Sequence, residues 1–198
     1  VLNSRMIASP LNLLTTCANA DGAAAVVFCA KDKLKSKTKA VTVASVFQTS
    51  ATYGTALPGG GVSVSTKVKN PDCVELAARQ TWDASGLGPG DMDVVQIYDP
   101  FAPAFLWNVE RCGFCRQGEA PRLLRDGYFE IGGKLPANTD GGLMGRGHPT
   151  GATGIAQIAE VFFQLREEAD SRQVAGARVG LAQGGGAGPQ AVLTVLKR

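Results

Sequence analysis

With 198 residues, 44% of them hydrophobic and 19% charged, the chain has the composition of one globular domain with a sizeable core and gives no sign of disorder. A net charge of +3 is too small and too evenly spread to point to nucleic acid, and the one dense basic run, Lys31 to Lys39, reads as a solvated helix end and loop. No apolar run reaches the ~18 to 20 residues that span a bilayer and the first residues carry no signal-peptide pattern, so a cytoplasmic protein without membrane contact is expected.

Residues 1 to 20 carry few signals beyond Ser9-Pro10 and the following leucines, which read as a short helix or turn. Ala23 to Ala30 is a continuous apolar run bounded by Asp21-Gly22 and Lys31-Asp32, the pattern of a buried strand, and Ala40 to Thr49 reads as a second. The glycines of Pro58 to Gly61 then break the chain and place a domain boundary, with 1–61 before it and 62–198 after it. Asn70-Pro71 supplies a cap and a first-turn proline for a helix whose buried stripe is Val74, Ala77, Ala78 and Thr81, ending at Gly86. Met92 to Tyr98 is a buried strand that delivers Tyr98 and Asp99 to the carboxyl edge of a sheet, where open α/β folds place their ligands. Pro103 opens a helix with Phe105, Val109 and Cys112 on one face, residues 119–126 form a short helix, and Gly132-Gly133 turns the chain. A helix over about 151 to 168 buries Ile155, Ile158, Ala159, Phe162 and Leu165, and two strands, 177–182 and 190–196, finish the chain around a glycine loop at 184–188. This order suits a layered α/β fold, a mixed central sheet flanked by helices.

The stretch from Asn138 to Gly154, NTDGGLMGRGHPTGATG, holds the only histidine of the chain, His148, between two glycine-rich segments just before a helix N-terminus. A lone histidine is more often structural than catalytic, but a backbone free to reach positive φ and a dipole end that favours developing negative charge mark a site. Five cysteines, an odd number at irregular spacing, fit reduced thiols. Cys112-x-x-Cys115 has no second pair or histidine to complete a zinc site, so no metal is expected.

Gly147-His148-Pro149 with Gly151-Ala152-Thr153-Gly154, preceded by Asn138 and Gly141-Gly142, resembles the histidine motif of the thiolase superfamily. Leu181 to Gly188, LAQGGGAG, is similar to the family's cysteine-plus-triple-glycine loop, and Tyr98-Asp99-Pro100-Phe101 stands at the place of its Asn-Glu-Ala-Phe motif. Ser4 to Ile7 and Ala20 to Ala25 extend the resemblance over nearly the whole chain, and Gly113-Phe114-x-x-x-Gly118-Glu119 is similar to the sterol-carrier-protein thiolase-like branch.

The resemblance implies the C-terminal part of an enzyme acting on acyl-CoA thioesters, with 1–61 the end of the N-terminal half and 62–198 the C-terminal domain. His148 takes the role of activating base and oxyanion donor, and Asn138, Gly147, Gly184, Gly185 and Gly186 line the substrate. The nucleophilic cysteine belongs to the N-terminal half, so this chain alone is expected to be inactive. No cofactor is implied beyond the coenzyme A of the substrate, and the implied partners are that N-terminal half, a second copy in a homodimer, and a small OB-fold or zinc-ribbon protein.

Two positions depart from the family. Ala182 stands where the acid/base cysteine belongs and has no ionisable group; Tyr98 stands where an asparagine or histidine belongs, and its phenol can donate a hydrogen bond or, with a lowered pKa, act as base. Asp99 caps the following helix or takes part in chemistry. Three readings follow: acyl transfer or carbon–carbon bond chemistry on acyl-CoA, retro-aldol cleavage through Tyr98, or a non-catalytic lipid- or acyl-CoA-binding subunit.

Overall fold

The computed structural model describes residues 1, 3–50, 72–186 and 190–198. Its centre is a mixed four-stranded sheet of β3 (Thr42–Ser50), β6 (Gln190–Lys197), β5 (Val179–Gly185) and β4 (Val94–Gln96), in that spatial order. The β3–β6 and β6–β5 pairs are antiparallel and the β5–β4 pair is parallel, with Gln96 opposite Ala182. Strand alternation divides the side chains between two faces. Val95, Ile97, Leu181, Leu193 and Val195 pack under α1 (Cys73–Ser85) and α2 (Ala102–Arg111); Val94, Ala182 and Leu196 pack under α5 (Thr153–Arg166) through Val161 and Leu165. All three residues of β4 are buried, as expected of a strand covered on both faces.

The expected buried stripe Val74, Ala77, Ala78 and Thr81 faces inward from α1, which ends at Gly86 in the left-handed region. The helix start differs from the expectation. Residues 70 and 71 lie outside the described residues, and the cap is Asp72, whose carboxylate accepts from the Val74 N–H at 2.8 Å. Ser45 and Thr49 of β3 donate to the carbonyls of Thr81 and Cys73, tying this edge strand to α1. Short α3 (Ala120–Arg125) follows α2, and the stretch around Gly141 coils into α4 (Gly142–Arg146), a turn of helix that glycine-rich sequence does not announce.

Other expectations are corrected. Ala23 to Ala30 forms no strand: no described strand pairs with it, and Val27 and Phe28 are 96% and 65% exposed. An apolar run says that a segment is covered, not by what, and a strand needs a neighbour to bond its backbone. The final glycines are not all loop, because β5 runs through Gly185; residues 187–189 and the 58–61 break lie outside the described residues. The first residues form a hairpin of β1 (Met6–Ala8) and β2 (Leu11–Asn12), followed by a single 3₁₀ turn.

Candidate functional site

Tyr98 leaves the end of β4 with its backbone held on both sides. Its N–H donates to Gln183 Oε1 at 2.8 Å, and its carbonyl accepts from Asn108 Nδ2 at 2.7 Å. The ring lies against Gly185, where a Cβ would stand 2.8 Å from Tyr98 Cδ1. The absence of a side chain at 185 therefore makes the bed for the phenol.

His148 arrives from the other direction, on the turn between α4 and α5. Gly147 has φ +89° and leaves its Cβ position 2.9 Å from Ala20 Cβ, so only glycine fits there without movement. The His148 N–H donates to Ala18 O at 2.9 Å, and Asn19 bridges to His148 in parallel. The segment after Cys17, itself bonded to Pro100 O, thus straps the histidine turn to the end of β4.

Tyr98 Oη and His148 Nε2 lie 3.1 Å apart, their rings edge to face with centroids 5.5 Å apart. The other imidazole nitrogen, Nδ1, is 2.7 Å from Thr153 Oγ1 at the first position of α5. Burial, then the nearby Arg146 guanidinium, holds His148 below the ordinary imidazole range. Burial, then the Cys17 thiol, pushes Tyr98 up. Both shifts favour the neutral forms, and the rise at Tyr98 runs opposite to the lowered-pKa base that the sequence allows.

A rigid floor supports the pair. Asn138, at φ +50°, uses its carboxamide on the Ile97 backbone, and Asp99 accepts from the Leu143 N–H at 2.7 Å. Asp99 thus caps α4, not the helix that directly follows it. It is 1% exposed, and burial raises its pKa to about 6 against hydrogen bonds from Leu143 and Asn138. Gly142, at φ +60°, passes so close that a Cβ would overlap both side chains.

Of the residues singled out in the sequence, the structure brings together Tyr98, His148 and Gly185. Asn138 and Gly147 shape the turn that carries His148. Gly184 lies over Gln157, with its Cβ position 3.7 Å from Gln157 Oε1, and Gly186 follows β5. Ala182 is buried among Val94, Val161 and Leu165. None of the five cysteines is disulfide-bonded, and burial pushes the Cys17, Cys73, Cys112 and Cys115 thiols up, the reverse of nucleophile activation. Among the described residues no group of His, Cys, Asp and Glu is placed to hold a metal, and no helix is long and apolar enough to cross a membrane. Sequence reasoning misses Asn108, Gln183 and Thr153 as site-shaping residues. Gln183 and Thr153 sit inside quoted motifs, but only their hydrogen bonds distinguish them.

A mixed sheet between helical layers, with a polar pair where a strand end meets a Gly-His-Pro turn, defines a thiolase-like α/β domain. The chain belongs to the thiolase C-terminal domain-like family, whose model matches residues 57–198. It is 40% identical over 200 residues to the acetyl-CoA acetyltransferase of Methanothermobacter thermautotrophicus, covering 100% of this chain and 50% of that protein. It is 37% identical over 203 residues to sterol carrier protein 2 of Rattus norvegicus, covering 100% of this chain and 36% of that one. Among solved structures it resembles the Ltp2-ChsH2(DUF35) aldolase, with a TM-score of 0.78 at 26% identity over 98% of this chain and 50% of that chain. The chain spans about half or less of the length of these relatives.

Proposed function

We propose that this chain is the C-terminal part of an enzyme that makes or breaks a carbon–carbon bond beside an acyl-CoA thioester, with Tyr98 and His148 moving the proton. The observation that carries the reading is the 3.1 Å contact between Tyr98 Oη and His148 Nε2. A donor and a base in hydrogen-bond reach are what proton transfer to and from a reacting group requires.

The retro-aldol direction is favoured over acyl transfer. Acyl transfer by a thiolase-like route needs a second ionisable thiol, and Ala182 cannot exchange a proton. In the retro-aldol step Tyr98 takes the hydroxyl proton of a β-hydroxyacyl thioester while its own proton passes to Nε2. The Cα–Cβ bond breaks, one fragment leaves as a carbonyl compound, and the electron pair stays as the thioester enolate. His148 then returns its proton to Cα. Concerted transfer avoids a free phenolate, which the raised pKa of Tyr98 disfavours. Similarity to a solved aldolase supports this direction; similarity to an acetyltransferase supports the thioester substrate.

The remaining parts come from outside the chain. The N-terminal half would supply the rest of the pocket and cover the exposed Val27 and Phe28, and 1–61 would be the end of that half. Homodimerisation is part of the reading. So is a small OB-fold or zinc-ribbon partner; similarity to the solved Ltp2-ChsH2(DUF35) aldolase supports a partner subunit without specifying its fold. The test offers the complete protein a β-hydroxyacyl-CoA and, separately, a β-ketoacyl-CoA with free CoA. Cleavage of the first to a carbonyl product and a shorter acyl-CoA is expected. Thiolysis of the second alone would shift the reading to acyl transfer, and turnover of neither would leave a binding subunit.

A further inference from the structure

The chain of contacts through His148 continues past the imidazole. Thr153 Oγ1 is 2.7 Å from His148 Nδ1 and 3.0 Å from the carbonyl oxygen of Pro149. Three contacts run in series: Tyr98 Oη to Nε2, Nδ1 to Thr153 Oγ1, and Thr153 Oγ1 to Pro149 O. The last member is a carbonyl, which can only accept, so it sets the direction of the series. If the Thr153 proton points to Pro149, its oxygen is free to accept from Nδ1–H, and Nε2 is left with a lone pair that accepts from Tyr98. All three contacts are then hydrogen bonds. With the proton on Nε2 instead, Nδ1 must take the Thr153 proton, and Thr153 Oγ1 faces Pro149 O with lone pair against lone pair. Thr153 is 2% exposed, so water does not readily relieve that contact.

We propose that Thr153 is a positioning residue that fixes the tautomer of His148, keeping the proton on Nδ1 and presenting Nε2 as an acceptor. A consequence for the site follows. In the resting state His148 can act as a base but cannot donate from Nε2 to an oxyanion. It gains that ability only after taking a proton, when both nitrogens carry one. The two roles that a thiolase-like resemblance assigns to this histidine therefore occur in sequence, base first and donor second. At the first position of α5 the Thr153 hydroxyl reaches back to the carbonyl four residues earlier, which it shares as an acceptor with the Ala152 and Thr153 backbone N–H groups.

The consequence for catalysis rests on the proposed function; the tautomer does not. Because His148 is the only histidine of the chain, ¹⁵N labelling of the imidazole gives one unambiguous spin system in the 198-residue protein at pH 7. The wild type should show a protonated Nδ1 and an unprotonated Nε2. Thr153→Ser, which keeps the hydroxyl, should reproduce that spectrum, and Thr153→Val should shift the proton toward Nε2. A wild-type spectrum with the proton on Nε2, or an imidazolium at pH 7, overturns the proposal, as does a folded Thr153→Val that keeps the wild-type pattern. If Thr153→Val does not fold, the wild-type and Thr153→Ser spectra decide alone. A complete enzyme that is inactive while its histidine shows the Nδ1–H form would count against the proposed function and leave the tautomer assignment standing.

Discussion

The Asn138 side chain pairs with both polar groups of the Ile97 backbone, Oδ1 accepting from its N–H at 2.7 Å and Nδ2 donating to its carbonyl at 3.0 Å. A carboxamide thus takes the place of a neighbouring strand just where β4 ends and the glycine-rich turn begins. Ile97 is fully buried, so removing this partner leaves a buried donor and acceptor unpaired. Asn138→Ala should destabilise the protein by about 2–4 kcal/mol, which urea melts of the two proteins would measure. Asn138→Asp should cost a similar amount, since a carboxylate cannot donate to Ile97 O; a loss below about 0.5 kcal/mol in both would contradict the role assigned to it.

Asp99 predicts an acid dependence of stability with a definite sign. Its pKa rises on folding to about 6, so between the unfolded value and that value the native state holds more protons than the unfolded one. Its ionisation therefore opposes folding, and its contribution falls as pH rises from about 4 to about 6. Relative to Asp99→Asn, whose amide oxygen can still accept from Leu143, the wild type should gain on the order of 2–3 kcal/mol between pH 7 and pH 4. Parallel stability curves for the two proteins would show that Asp99 does not titrate as described.

Gly185 should be intolerant of any side chain for a reason tied to function. A Cβ there stands 2.8 and 2.9 Å from two Tyr98 ring carbons, and the ring rather than the strand is the softer partner. Gly185→Ala should push the phenol off His148, lower the rate of the complete enzyme at least 10-fold, and cost only about 1–3 kcal/mol in stability. Unchanged kinetics would mean that the ring accommodates the methyl while keeping its contact with Nε2.

Val27 and Phe28 should make this chain associate when it is alone. Their exposure, with that of Val43 and Val46 on the edge strand β3, leaves apolar surface of the kind that marks an interface. Sedimentation of the isolated chain should show concentration-dependent self-association, reduced in the double variant Val27→Lys, Phe28→Lys. A wild-type chain that stays monomeric at high concentration would contradict this.

Much of this architecture is legible in the sequence because local signals and packing agree. The Val74, Ala77, Ala78 and Thr81 spacing gives α1 its buried face, and Val94, Val95 and Ile97 in the stretch after Met92 mark β4. The meeting of Tyr98 and His148 is also legible, since a residue at the end of a central strand and one ahead of a helix share the same sheet edge. Ala23 to Ala30 is not, because the periodicity of an apolar segment says nothing about whether its partner lies in the same chain. Nor is the support of Tyr98 by Gln183 and Asn108. Each is a carboxamide brought from a distant element, with no pattern to set it apart from other buried amides such as Gln157 and Gln164. The direction of the proton at His148 lies further still from the sequence, since it depends on which way one threonine hydroxyl points.

The central claim is that Tyr98 and His148 act together on the proton, and the most direct test is the turnover of Tyr98→Phe in the complete enzyme on an acyl-CoA substrate. Phenylalanine keeps the ring on Gly185 and removes only the oxygen 3.1 Å from Nε2. The rate should fall on the order of 10²-fold or more, with the fold intact. A variant that turns over at the wild-type rate would contradict the account.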